Sequence, residues 1–359
     1  MPCIINCHTH LFTLNHVPVN FITGQRFLAH TQAGRNRLAW MLCKLNPRSD
    51  DKKLDRLAFF LRNGNISSQE EVFKRLSIYY PPSARFAVHA IDFEYMGAGR
   101  CPKNYIEQLD ELAALKREFP KKIYPFICTD PRRPDLFDLF RHYIEKEDFT
   151  GIKLYPPMGY FPFDERLYPV FEYAQKYQIP IMTHCSSSGP VFGRKIPSKE
   201  ERIHPKTQAP MKYRNKRHFA DHYADPDNYI WLLKDFPLLK ICFAHFGGDV
   251  QCKKYYKSND PAEVENNWFL KIFRLIKKYR NIYADISYAA ADFDLLALFN
   301  ALLPDQDARH KILFGSDYYM SNLERNERWF SMNVLMHLGE ENYMQIAHHN
   351  AVKYLNITV

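Results

Sequence analysis

A chain of 359 residues with 46% hydrophobic and 15% aromatic residues is too apolar to be a disordered or low-complexity protein, and its length suits two average domains or one large α/β barrel. The formal net charge of +9, from 49 Lys and Arg against 40 Asp and Glu, excludes an acidic solvating chain and allows a binding role toward anions. The eight cysteines (3, 7, 43, 101, 128, 185, 242 and 252) contain no C-x-x-C pair and mostly lie in apolar runs, which fits reduced, buried thiols rather than a disulfide framework. No uncharged apolar run is long enough to span a bilayer, and the N-terminus lacks a basic region followed by a long apolar one. The expectation is therefore a cytoplasmic protein without membrane contact.

The chain starts with a short apolar run ending in Cys7-His8-Thr9-His10. Side chains alternate along a strand, so His8 and His10 point the same way at one strand end, a geometry that can hold a divalent metal. Residues 12–82 follow without a strand pattern. Stretches 36–45, 52–61 and 68–78 look helical, and Ser67 or Ser68 ahead of Glu70 and Glu71 forms a plausible helix start. This segment is predicted to be a helical insertion, a lid or cap after the first strand.

From Arg85 onward, short apolar runs alternate with longer amphipathic stretches. The runs are 85–91, 123–128, 151–155, 179–184, 239–245, 282–287 and 312–316, which with 3–8 make eight. Between and after them lie helix candidates at 103–118, 134–146, 164–177, 226–236, 261–279, 292–302 and 322–337, with Pro134, Pro226 and Pro261 near first turns and Asp225 and Asp260 as candidate caps. Repeated strand-helix alternation predicts a parallel sheet, and eight units most simply close into a single (β/α)8 TIM-type barrel spanning 1–359. Residues 190–225, broken by Pro190, Pro197, Pro205 and Pro210, form a long loop after strand 5, and 339–359 add closing helices.

Barrel enzymes place their chemistry at the carboxyl ends of strands. Those positions hold His8, His10, Lys153, His184, His245 and Asp317, all metal-compatible. Individually, each has a plainer role as a hydrogen-bonded histidine, a salt-bridged lysine or a helix cap. Together, in a chain whose strand count fits independently, they predict a site. Tyr155, Tyr160, Ser287, Tyr318 and Tyr319 follow or end strands at the same face and are candidate substrate-orienting residues.

The stretches NCHTH, GIKLYPPMGY, IPIMTHC, CFAHFGG, IYADIS, ILFGSDYY and IAHHNAVKYL resemble the amidohydrolase superfamily. Within it they are similar to the amidohydrolase-related branch that includes aminocarboxymuconate semialdehyde decarboxylase and pyrone dicarboxylate lactonase. The resemblance runs from residue 3 to 355 and leaves out 12–82 and 190–225. It implies that His8, His10 and Asp317 are metal ligands, with His184 a further one, and that His245 is a ligand to a second metal or a base acting on substrate. In binuclear members a lysine ending strand four is carbamylated and bridges two metals, which gives Lys153 that expected role. Where the family usually has Asp two residues before the first histidine, this chain has Asn6, a change that bears on a hydrogen bond behind the ligands rather than on the ligands.

The expected activity is that of a metal-dependent hydrolase of a small molecule with an amide, lactone or ester bond. One or two zinc ions, or manganese or another divalent metal, would activate a water, with Asp317 as general base and His184 polarising the carbonyl. The alternative is a non-oxidative, metal-dependent decarboxylase of a small carboxylic acid. Residues 194–217 carry nine basic and two acidic side chains. Leaving the strand that holds His184, they are expected to overhang the pocket and favour an anionic substrate. They lack the interleaved aromatics of a single-strand nucleic-acid binder. A small molecule is the expected partner, with a homodimer as the candidate assembly and nucleic acid excluded.

Overall fold

The computed structural model describes residues 3–21, 66, 68–258, 260–318 and 326–358. Eight parallel strands follow one another in sequence order around the sheet: β1 (Ile5–Thr9), β2 (Arg85–His89), β3 (Ile123–Cys128), β4 (Gly151–Leu154), β5 (Ile181–Thr183), β6 (Ile241–Phe243), β7 (Ile282–Asp285) and β8 (Ile312–Leu313). The exit of β8 returns to β1 through Cys7 N–H to Phe314 O (2.9 Å), Asp317 N–H to His8 O (2.8 Å) and His10 N–H to Tyr318 O (2.7 Å). The result is the TIM barrel that the sequence predicts.

Helices cover the outside: α1 (Gln69–Ser77), α2 (Tyr105–Glu118), α3 (Leu136–Glu145), α4 (Tyr168–Tyr177), α5 (Lys216–Ala224), α6 (Asn228–Asp235), α7 (Asp249–Lys257), α8 (Pro261–Glu265), α9 (Trp268–Lys278), α10 (Phe293–Leu302), α11 (Gln306–Arg309), α12 (Glu327–Met344) and α13 (Asn350–Leu355). Strands in such a barrel are buried on both faces, which is why they read as unbroken apolar runs. Phe86, Val88, Ile152, Ile241 and Phe243 pack toward the helices. Ala87, Phe126, Met182, Cys242 and Leu313 fill the interior.

Several expectations are refined. Ser68 caps α1 by accepting from Glu71 N–H at 3.2 Å, but the helical stretches expected at 36–45 and 52–61, together with Ser67 and Cys43, lie outside the described residues. The helix expected over 261–279 is two helices, because Asn267 interrupts it and caps α9 through Phe269 N–H. Asp260 caps α8, whereas the helix expected from Pro226 begins at Asn228, with Asp225 accepting from Asp227 N–H instead. The segment 190–225 is not all loop, since its end forms α5. At the C-terminus α12 bends at Gly339 and passes through a π-turn, Gln345–His349, into α13. The described cysteines are free and buried, and among the described residues no helix is long and apolar enough to cross a membrane.

At β1 a register shift between Asn6 and Thr9 interrupts the pairing with β2. A bulge of this kind re-aims side chains: Cys7 belongs to the interior cluster, while His8, one residue later, lies against Lys153, Asp285 and Ser287. Asn6 holds the bulge from behind. Its Oδ1 accepts from His8 N–H (3.2 Å) and Ser316 N–H (3.1 Å), and its Nδ2 donates to Tyr80 OH (3.0 Å) and Ser316 Oγ (2.9 Å). Tyr80 OH in turn donates to the buried Glu327 at 2.6 Å.

With Glu327 already supplying the carboxylate of this chain of bonds, the position between His8 and Tyr80 needs an amide donor. Asn6→Asp would put a second carboxylate into the buried network and remove two donors. It should lower stability by roughly 2–4 kcal/mol, read as a drop in Tm at neutral pH that shrinks as the buffer is acidified.

Candidate metal centre

Five barrel elements converge at the carboxyl ends of the strands. β1 brings His8 and His10, β4 brings Lys153, β7 ends in Asp285 with Ser287 just beyond, and the exits of β6 and β8 bring His245 and Asp317; all are buried. Gly315 permits the close approach of β8, because a Cβ there would lie 2.6 Å from His8 Cβ. His245 (φ 62°) and Asp317 (φ 58°) both adopt the left-handed conformation. Such backbone is disfavoured for non-glycine residues and concentrates at functional sites.

The hydrogen bonds assign the histidine tautomers. His8 Nδ1 lies 2.9 Å from Asp285 Oδ2, and His10 Nδ1 lies 2.8 Å from the His89 carbonyl. Carboxylate and carbonyl oxygens only accept, so each Nδ1 carries the proton and each Nε2 presents a lone pair. Those two lone-pair nitrogens are 3.2 Å apart, with Asp317 Oδ1 at 3.4 Å from His10 Nε2 and 3.7 Å from His8 Nε2. Two such lone pairs and a carboxylate oxygen repel one another unless a proton or a cation lies beside them. His8, His10 and Asp317 therefore fit a divalent ion in donor type as well as position.

A second cluster of His8, His245 and Asp285 also brings three potential ligand atoms together, but it is held by hydrogen bonds. His8 Nδ1 donates into it, the Ser287 hydroxyl donates to Asp285 Oδ1, and His245 N–H and Ser287 N–H donate to the same oxygen at 3.0 and 2.9 Å. With the Ser287 proton spent on Asp285, His245 Nδ1 donates to Ser287, 2.9 Å from Oγ, leaving its Nε2 as an acceptor. Since His8 Nδ1 is bonded to Asp285, this second cluster does not offer three free donors to an ion.

Lys153 Nζ stands 3.2 Å from His8 Nε2. Burial lowers its pKa to about 8, against the pull of Asp317 and Asp285. Burial likewise keeps His245 near 4 and pushes His8, His10 and His184 well below the ordinary histidine value. These imidazoles are therefore neutral at physiological pH. Burial raises Asp317, with Lys153 opposing.

His184 enters the same space without joining either three-residue cluster. It stacks on Tyr155 with centroids 4.4 Å apart, sits 5.1 Å from the His245 ring, and has a buried Nε2 without a hydrogen-bond partner among the described residues. Tyr160 is occupied elsewhere, since its hydroxyl accepts from Tyr155 N–H (2.7 Å) and donates to Thr129 O (3.1 Å). Ser287 contacts His8 and His245. Tyr318 is buried beside the β1 exit, and Tyr319 lies outside the described residues.

Sequence reasoning missed Asp285 and His89. Asp285 lies within the quoted IYADIS stretch, at the strand-end position used to select the other residues. His89, the last residue of β2, donates from Nε2 to Cys7 O at 2.9 Å and packs 4.9 Å from the His8 ring. The available signal was a histidine inside the apolar run 85–91.

The fold is shared with solved barrels of low sequence identity. The 5-carboxyvanillate decarboxylase from Sphingomonas paucimobilis is 13% identical, with a TM-score of 0.55 and the whole of both chains covered. A dihydroxybenzoic acid decarboxylase from Polaromonas sp. JS666, with bound manganese and the inhibitor 2-nitroresorcinol, is 15% identical, with a TM-score of 0.55, 99% of this chain and 97% of that chain being covered. The 4-oxalomesaconate hydratase from Rhodopseudomonas palustris is 16% identical, with a TM-score of 0.51 and coverage of 98% and 95%. No curated protein matches the sequence. Residues 5–357 match the sequence model described as Amidohydrolase, and the chain belongs to that family of metal-dependent enzymes.

Proposed function

We propose that the protein is a non-oxidative decarboxylase of a small carboxylic acid, working with one divalent ion held by His8, His10 and Asp317. The observation that carries this reading is the double commitment of His8: its Nε2 faces His10 and Asp317 while its Nδ1 is spent on Asp285, which favours a mononuclear centre. The decarboxylases among the similar structures, one with manganese, support it further, and the His/Asp donor set suits manganese or zinc.

When bound, such an ion supplies Lewis-acid charge that attracts and orients a carboxylate. The Lys153 ammonium adds positive charge on the β4 side, so an anionic substrate offsets both. The reaction is R–COO⁻ + H⁺ → R–H + CO2: the carbon–carbon bond breaks, its electron pair stays on the substrate carbon, and that carbon takes a proton. Asp317 is assigned the proton exchange. Its Oδ1 faces the two histidines, and burial raises its affinity for a proton. His245 Nε2, an acceptor, is assigned to orient a substrate hydroxyl or carboxyl group, and His184 and Tyr155 form a flat wall beside it. Asp285 is a positioning residue that fixes the tautomer and ring orientation of His8.

Hydrolysis of an amide, lactone or ester is the second reading, favoured by the closeness of Lys153 Nζ to His8 Nε2, which would suit a carbamylated lysine bridging two ions. Metal analysis and a product assay separate the two. The expected result is about one manganese or zinc per chain, with CO2 release from one or more members of a panel of aromatic and unsaturated carboxylic acids; both His10→Ala and chelation should abolish the release. Two ions per chain together with ring opening of lactones, and no CO2, would overturn the decarboxylase reading.

Asp285→Asn should weaken metal affinity by about 10–100-fold, measured by competition with a chelator, while the variant keeps its thermal transition within a few degrees when saturated with the ion.

A further inference from the structure

The chain leaving β7 reverses on a single residue. Ser287 is fixed on two sides: its N–H and hydroxyl donate to Asp285 Oδ1, while its carbonyl oxygen and Oγ face His245 Nδ1 at 3.3 and 2.9 Å. Two residues on, Ala289 N–H donates back to the Ser287 carbonyl at 2.5 Å, with Tyr288 between them at φ 58° and ψ −52°. That is a γ-turn of positive φ, a rare and strained form. Ala290 N–H to Ile286 O and Ala291 N–H to Tyr288 O then carry the chain into a short 3-10 turn, Ala289–Ala291.

The turn by itself does not call for a tyrosine. Glycine reaches positive φ without a steric penalty, and asparagine or aspartate tolerates it better than an aromatic residue does. The three residues that follow are alanines, so the strained position carries the large side chain of the turn. Strained backbone of this kind concentrates at functional sites, and an observed outlier points to a use for what it holds in place.

The side chain held here is a ring packed edge-to-face with His245, with centroids 6.5 Å apart and planes at 79°. His245 is itself at positive φ (62°), so strained backbone at the exits of two adjacent strands brings these two rings together. His245 also lies 5.1 Å from His184, which stacks on Tyr155. Rings from the exits of β4, β5, β6 and β7 thus follow one another around the mouth. Tyr155, His184 and His245 are buried, whereas Tyr288 is half-buried. It forms the outer end of the row, against the imidazole whose Nε2 is assigned to a substrate group.

We infer that Tyr288 is a specificity-determining residue that touches the part of the substrate oriented by His245, its ring limiting the size of the group an acid can carry on the β7 side. The inference rests on the proposed reading for where the acid lies, not for which bond is broken.

The test uses protein loaded with Mn2+ and calorimetric titration with benzoate, the ring-methylated benzoates and the naphthoates. Wild type and Tyr288→Phe should bind benzoate about tenfold more tightly than the bulkiest of these acids, and Tyr288→Ala and Tyr288→Gly should reduce that preference to about twofold or less. A ratio of affinities does not depend on how much of a variant is folded. Thermal melting reads the strain separately. Tyr288→Gly should melt above Tyr288→Ala, the reverse of the usual order, because both lack the ring and only glycine relieves the positive φ. The absence of a size preference in wild type, or one that survives both truncations, would overturn the inference. So would Tyr288→Ala melting above Tyr288→Gly, which would mark a turn without strain. If the preference shifts as stated but no acid of the decarboxylation panel releases CO2, the decarboxylase reading fails alone; absence of any Mn2+-dependent binding would overturn both.

Discussion

Two imidazole nitrogens, each with a lone pair and no proton, face each other across 3.2 Å at the end of β1. That arrangement is repulsive unless positive charge lies beside it, and the rest of the barrel mouth is organised around this requirement. Asp285 and the His89 carbonyl hold the protons on the far sides of the two rings, Asp317 brings a negative oxygen to the same place, and Lys153 is the one buried cationic side chain in contact with the group among the described residues. Without the Asp285 acceptor the His8 tautomer could relax, which would weaken both the repulsion and the affinity for an ion. The partners behind the ligands thus carry as much of the site's design as the ligands do.

The same requirement explains the irregularity of β1. Regular alternation from the interior residues Ile5 and Cys7 would direct Thr9 inward and turn both histidines toward the helices. The register shift between Asn6 and Thr9 moves the phase by one residue, so Cys7 closes the apolar interior and His8 opens the polar mouth. Such a bulge loses ladder hydrogen bonds, and Asn6 replaces them with side-chain bonds to β1 and β8 backbone. An aspartate could accept those two bonds, but it could not also donate to Tyr80 and Ser316. Asn6 is thus matched to Glu327 on α12, and the position reads as a departure from the family pattern only while that distant carboxylate is out of view.

Much of this was legible along the chain because a parallel barrel writes its strands as apolar runs and its site at their ends. Every one of the eight runs became a strand, and the six polar residues chosen by that rule all lie at one mouth. What stayed hidden depends on contacts between distant positions. Asp285 and His89 end strands just as several of the selected residues do, yet their importance lies in which ring nitrogen each partner faces, and spacing does not encode that. Tyr160 shows the converse: it sits at the right end of the barrel, but its hydroxyl is consumed by Tyr155 N–H and Thr129 O. Local chemistry was also underweighted at Asn267, whose capping bond to Phe269 N–H splits a stretch that reads as one amphipathic helix.

Lys153 is where sequence and geometry pull in different directions, and counting lone pairs bears on the proposed choice between them. A lysine ending the fourth strand points, by resemblance, to a bridged pair of ions and hydrolysis. A second ion needs its own donors, and the cluster His8, His245 and Asp285 contains a histidine whose remaining nitrogen is already protonated and bonded, which leaves only His245 Nε2 and the unpartnered His184 Nε2 beside it. Taking that proton away would leave Asp285 as an uncompensated buried carboxylate against an imidazolate, an expensive exchange in a dry interior. A protonated amine at Lys153 instead supplies charge beside His8 Nε2, on the side where, on the proposed reading, a substrate carboxylate would meet the ion. On the proposed reading, then, the lysine serves the recognition of an acid beside the ion.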